Sequence, residues 1–193
     1  TSIREAARRF VVLYIGLSIL ELLVLSVFAW TELDERMSIY EAVAHAFTTL
    51  PTGGFSTEAR SIEAFGAATQ WAIAAFMVLA GTNFALMYRS LVRRRPGVLV
   101  RDDEFRLYVI LLVLASSVLL LEVWSEGIAE GEAAVRHAVF QTVSMMTTTG
   151  YASADFNEWT FLTAMVLVAL MFASASAGST SGSIKLARHV LIG

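Results

Sequence analysis

Four blocks of this sequence are too long and too free of charge to be core segments of a soluble domain of its size. Phe10–Trp30 runs 21 residues with one charge, Glu21, and Ala64–Tyr88 runs 25 with none. Leu107–Leu121 is a 15-residue uncharged stretch, extendable past Glu122 to Trp124, and Trp159–Ile184 gives 26 more. A helix needs about 20 apolar residues to cross a hydrocarbon layer about 30 Å thick, so the blocks predict four membrane spans. Composition agrees: 56% of the 193 residues are hydrophobic and 16% charged, with mean hydropathy +0.65. Soluble domains carry about 25% charge. A secretory signal is the competing reading of the first block. Its apolar stretch is too long, and Thr31-Glu32-Leu33-Asp34 supplies no small-residue cleavage site. The absence of cysteine excludes disulfides, thiolate metal sites and cysteine nucleophiles.

Charge divides by side. The start, the middle loop and the tail hold Arg4, Arg8, Arg9, Arg89, Arg93, Arg94, Arg95, Arg101, Arg106, Lys185 and Arg188, against Glu5, Asp102, Asp103 and Glu104. The segments Thr31–Glu63 and Glu122–Glu158 are acidic, with only Arg36, Arg60 and Arg136 as cations. Arg and Lys mark the cytoplasmic side of a membrane protein, which places both termini and Arg89–Arg106 inside. A basic tract adjoining span ends orients the chain and calls for no nucleic acid.

Each acidic segment contains a further apolar stretch, Ile39–Leu50 and Ala133–Met146, too short to span and long enough for a re-entrant helix. Ser38-Ile39-Tyr40-Glu41 reads as a capping box for the first; the second has only Glu130 and Glu132 near its start. Sliding the chain against itself by 96 residues brings Thr52-Gly53-Gly54-Phe55-Ser56 onto Thr148-Thr149-Gly150-Tyr151-Ala152, Phe65 onto Phe161, Phe76 onto Phe172 and Arg89 onto Lys185. Residues 1–96 and 97–193 therefore read as two copies of span, short helix, Thr/Gly turn and span, an internal duplication of the membrane-protein kind. In numbers, the first copy has spans at 10–30 and 64–88, a short helix at 38–50 and a turn at 51–57. The second has spans at 105–124 and 159–190, a short helix at 132–146 and a turn at 147–152.

Non-helical backbone at membrane depth is tolerated only where protein or water surrounds it. Glycine allows φ values that turn several carbonyls toward one axis, and carbonyl oxygens so arranged replace the water shell of a monovalent cation. The C-terminal end of each short helix adds about half a negative charge facing the turn. A Thr/Gly turn between helices is usually only a turn. Two at matched positions, each after a short helix, point to an ion filter.

The last block is interrupted by Ala173-Ser174-Ala175-Ser176-Ala177-Gly178-Ser179-Thr180-Ser181-Gly182-Ser183, with Lys185 just beyond. The run reads either as an unwound segment below the filter or as a small-residue packing face, Gly178-x-x-x-Gly182. Its likeness to a phosphate loop fails on spacing. His45, His137 and His189 lack paired-ligand spacing, which leaves no transition-metal site. Glu21 is a costly charge in mid-span, and Asn83 reads as an interhelical hydrogen-bonding group. No nucleophile and base converge, so an enzyme is not expected.

At Phe47–Thr57, Thr147–Ala152 and Ala177–Lys185 the chain resembles the Trk/Ktr/HKT superfamily of potassium transporters, and the last stretch is most like the bacterial Trk type. The resemblance implies an all-α polytopic membrane protein. Four span–pore-helix–span repeats would surround one pseudo-fourfold pore, and the two copies here would resemble the second and third repeats. The first and fourth would lie outside this chain. It implies potassium-binding filter residues Thr52, Gly53, Gly54 and Phe55, with Thr148, Thr149, Gly150 and Tyr151. It implies a gate at Ala177, Gly178, Ser179, Thr180, Ser181, Gly182 and Ser183, followed by the cation Lys185. Ser181 and Ser183 stand where the family's stretch carries glycine. Further implications are potassium as the bound ion, no organic cofactor, a homodimer in the lipid of the cell (inner) membrane, and a cytosolic nucleotide-binding regulatory subunit. Two rival readings remain from the residues: an ion-coupled secondary transporter using Glu21 and the Gly178–Gly182 break, and a non-conducting membrane scaffold.

Overall fold

The structure, a computed structural model, describes residues 3–91, 97–156, 159–172 and 178–182. Among them all regular structure is helical. The elements are α1 (Ile3–Trp30), α2 (Ile39–Thr49), a 3-10 turn (Ser61–Ala64), α3 (Ala67–Gly81), α4 (Phe84–Leu91), α5 (Gly97–Val100), α6 (Asp103–Ser125), α7 (Gly131–Met146) and α8 (Phe161–Phe172).

Residues Ala7–Trp30 of α1 and all of α6 are each long and apolar enough to cross a membrane. Val12, Ile15, Ile19, Leu23 and Val27 of α1 recur every three or four residues and are half or more exposed, as are Ile110, Val113, Leu114 and Leu121 of α6. Such stripes suit lipid, which costs an apolar side chain nothing. The short helices pack on the longer ones: α2 on α1 and α3, and α7 on α3, α6 and α8. Leu25, Ala42, Ile73, Met77, Phe140 and Val143 form the core joining α1, α2, α3 and α7. Leu119, Val123, Ala134, Ala138, Leu167 and Leu170 join α6, α7 and α8.

The start of α2 carries half of the predicted capping box. The Ser38 hydroxyl accepts the Glu41 N–H at 3.2 Å, whereas the Glu41 carboxylate receives the Thr57 hydroxyl from the far side of the turn. Asp34 does the equivalent work for α3, accepting the Gly66 N–H and the Thr69 hydroxyl, both at 2.6 Å.

The second predicted span is not one helix. α3 and α4 meet at 104° across Thr82-Asn83. Four hydrogen bonds accompany the break, one of them from a distant helix. The Thr82 hydroxyl takes the Val78 carbonyl at 2.9 Å, and the Tyr108 hydroxyl of α6 approaches the same oxygen at 3.3 Å. Asn83 Oδ1 then caps α4 by accepting the N–H groups of Ala85 and Leu86 at 2.9 and 3.3 Å. Asn83 Oδ1 thus serves the backbone of its own helix. Of the fourth predicted span, residues 159–172, which include α8, and residues 178–182 are described; the remainder lies outside the described residues.

Candidate functional site

The two Thr/Gly turns are built alike, bond for bond. The Thr48 carbonyl accepts the N–H of Gly53 at 2.8 Å and of Gly54 at 3.3 Å; 96 residues later the Ser144 carbonyl accepts those of Thr149 at 3.0 Å and Gly150 at 3.4 Å. The Thr52 N–H donates to Thr49 at 2.9 Å and the Thr148 N–H to Met145 at 3.1 Å. The Thr48 hydroxyl donates to the Phe55 carbonyl at 2.9 Å, and the Ser144 hydroxyl to the Tyr151 carbonyl at 2.6 Å. Each short helix thereby ties down the turn that follows it with one carbonyl and one hydroxyl of a single residue. The sequence reading gives Thr48 and Ser144 no role, although both are hydroxyl residues four positions ahead of the matched Thr52 and Thr148.

Backbone dihedrals repeat as well. Thr52 and Thr148 lie at φ +56° and +59°, Gly54 and Gly150 at +66° and +85°, while Gly53 and Thr149 between them stay out of the left-handed region. Residues alternating in the sign of φ direct successive carbonyls to one side of the chain. A β-branched residue at positive φ is a strained arrangement of about 1–3 kcal/mol, kept only where its surroundings impose it, and such strain collects at functional sites.

The turns also touch one another. The buried Tyr151 donates its hydroxyl to Thr48 Oγ1 at 2.6 Å, and its ring lies 5.9 Å from that of His45. Phe55 holds the equivalent place in the first turn, yet its ring is 76% exposed. Below the turns, a cavity of about 440 Å³ is lined by Thr52, Ser144, Thr148, Gly150, Met171 and Gly182 among others.

Residues 178–182 are not helical, which sets aside a helical Gly178-x-x-x-Gly182 packing face. They run beneath both turns: the Gly182 N–H donates to Thr148 Oγ1 at 2.8 Å, and the Thr52 hydroxyl reaches the Thr180 carbonyl at 3.3 Å. Thr180 and Gly182 are therefore brought to the turn residues, while Gly178 lies against Asn83 and bonds the Phe84 N–H. Ala177, Ser183 and Lys185 lie outside the described residues.

The remaining polar residues support the scaffold. His45 is buried between the Glu41 carbonyl at 2.8 Å and Ser56 Oγ at 3.0 Å. His137 pairs with Ser153 at 3.0 Å; His189 lies outside the described residues. Among the described residues no three His, Asp or Glu side chains converge on a metal position. Glu21 is wholly buried, and among the described residues neither carboxylate oxygen has a hydrogen-bond partner. The neighbouring Thr49 hydroxyl is directed to the His45 carbonyl at 2.8 Å. At the start of α7, Glu132 receives the indole N–H of Trp71 at 2.7 Å and Arg136 Nε at 3.0 Å, linking α3 to α7. These two donors hold the Glu132 carboxyl below the usual carboxylate range.

Known proteins share this arrangement of helices. Trk system potassium uptake protein TrkI of Halomonas elongata is 35% identical over 157 residues, covering 79% of this chain and 31% of its own length. Trk system potassium uptake protein TrkH of Escherichia coli K12 is 32% identical over 158 residues, covering 81% of this chain and 33% of its own length. The crystal structure of the potassium transporter TrkH from Vibrio parahaemolyticus superposes with a TM-score of 0.88 at 28% identity, over all of this chain and 41% of that one. The chain thus spans about a third of the length of the curated relatives it matches. The sequence profile of TrkH, described as a cation transport protein, matches residues 1–192. This chain, a set of apolar helices suited to crossing a membrane several times, belongs to the TrkH family of cation transport proteins.

Proposed function

We propose that the chain contributes two of four filter segments to a potassium-uptake pore. Potassium sheds its water against the carbonyls of Thr52–Phe55 and Thr148–Tyr151 and against two equivalent segments outside this chain. The observation that carries this reading is the identity of the two turns in hydrogen bonding and in alternating φ, with both facing one cavity. The exposed ring of Phe55 adds support. Tyr151 reaches back to the short helix of the preceding repeat, and Phe55 would do the same against another.

Residues 178–182 act as the gate, since they cross directly under both turns. Flux is downhill through the filter. Both termini of the chain lie on the cytoplasmic side of the cell membrane, in accord with the distribution of arginine. A homodimer and a cytosolic nucleotide-binding subunit belong to the same reading and rest on the family resemblance. The names of the relatives, potassium uptake proteins, support the choice of ion.

Gly150→Ser tests the filter. A β-carbon there meets open space, so its effect arises through the left-handed backbone. In the full-length protein reconstituted in liposomes, the potassium-over-sodium permeability ratio should fall. An unchanged ratio would remove these carbonyls from selectivity.

A second reading has one observation in its favour, the buried and unbonded carboxylate of Glu21. It makes the protein an ion-coupled transporter in which Glu21 exchanges a proton.

A further inference from the structure

A continuous helix through residues 80–84 would bond the Phe84 N–H to the Ala80 carbonyl, four residues back. The break at Thr82-Asn83 opens that bond along with its neighbours, whose N–H groups at Ala85 and Leu86 pass to Asn83 Oδ1, and both Ala80 and Phe84 are buried. Residues 178–180 complete it from outside. The Gly178 carbonyl accepts the Phe84 N–H at 3.2 Å, while Ala80 O accepts the Thr180 N–H at 3.3 Å and the Thr180 hydroxyl at 3.0 Å. The fit extends to side chains. A β-carbon on Gly178 would lie 3.3 Å from Asn83 Oδ1 and 3.5 Å from Cγ and Nδ2, so the carboxamide lies against the bare α-carbon. Gly178 is also at φ +76°. Under the 96-residue offset Thr82 corresponds to Gly178 and Asn83 to Ser179, so the two interruptions occupy one register and face each other.

From this geometry we propose that the opened Ala80–Phe84 bond is the seat of the gate segment, and that Asn83 is the positioning residue that keeps the seat open. While residues 178–180 fill it, they are held under Thr52 and Thr148. Two buried polar groups left without partners are costly. When the segment withdraws, the Phe84 N–H and the Ala80 carbonyl therefore pair with each other, which straightens α3 into α4. Gate opening and loss of the 104° bend are one event. This rests on the reading of residues 178–182 as the gate, but concerns how often the path opens, not which ion passes.

The test uses the full-length protein in liposomes, with rubidium flux and the potassium-over-sodium ratio read separately. Asn83→Leu cannot cap α4, whereas Asn83→Ser can. Losing a cap shifts such an equilibrium by about fivefold. Asn83→Leu is therefore expected to raise resting flux about fivefold at an unchanged ratio, with Asn83→Ser near wild type. In a background free of other cysteines, the pair Ala80→Cys and Thr180→Cys should stop flux on oxidation and recover it on reduction. The proposal is overturned if Asn83→Leu conducts no faster than Asn83→Ser, or if the oxidised pair conducts like the reduced one. A wild-type ratio near unity would instead count against the filter reading, leaving these flux outcomes to decide the seat.

Discussion

Gly54 lies against the Thr149 carbonyl so closely that a β-carbon on it would stand 1.9 Å from the oxygen. That approach sets an order among the glycines of the two turns. At Gly54 both sterics and φ +66° forbid a side chain, at Gly150 only φ +85° does, and at Gly53 the nearest neighbours are 3.5 Å away with no left-handed φ. Alanine is expected to be mild at Gly53. It should cost about 1–2 kcal/mol at Gly150 and more at Gly54, where backbone must move. Thermal unfolding of the detergent-purified full-length protein, read for all three variants, checks the order. Equal losses at Gly53 and Gly54 would contradict the contact.

Tyr151→Phe keeps the ring in place and removes the hydroxyl donated to Thr48 Oγ1 at 2.6 Å. A net loss of about 1 kcal/mol is expected. A double-mutant cycle with Thr48→Val should give a coupling of about 0.5 kcal/mol or more, and additive effects would mean that the two hydroxyls do not interact.

Glu21→Gln separates the two functional readings. The carboxylate makes no hydrogen bond, and a carboxamide of the same shape brings no charge into the span. Under the pore reading, potassium flux in liposomes is retained and stability is equal or higher. Abolished flux with a normally folded protein would favour the proton-coupled reading. Glu21→Lys is expected to prevent assembly under either.

Asp34→Ala should cost about 1–3 kcal/mol, because the Gly66 N–H and the buried Thr69 hydroxyl lose an acceptor 2.6 Å away. Asp34→Asn, which retains an acceptor oxygen, should recover part of that loss. The potassium-over-sodium ratio is expected to stay as in wild type, since Asp34 caps α3 and does not touch either turn. Melting curves and permeability ratios on the same preparations check both statements.

Much of this was legible in the chain because it follows from local rules. The length of an uncharged block decides whether it can cross lipid, and α1 and α6 obey that rule. The 96-residue offset was visible in Thr52-Gly53-Gly54 and Thr148-Thr149-Gly150, and the hydrogen bonds of the two turns coincide at that same offset. The short helices end just ahead of their turns, at Thr49 and Met146, where residues that favour positive φ or lack helix propensity cluster.

What tertiary structure alone decided are the places where a backbone group has two possible partners. Nothing local in Ala80-Gly81-Thr82-Asn83-Phe84 forbids a helix. It breaks because Tyr108 from α6 and residues 178–180 supply the partners that a continuous helix would have found within itself. Thr48 was likewise silent in the sequence, since an ordinary helical threonine becomes an anchor only when Phe55 and Tyr151 fold back onto it. Sequence fixes which groups must be satisfied within lipid; which distant group satisfies them is a property of the packed chain, because bonds across 30 to 128 residues exist only once the helices have docked.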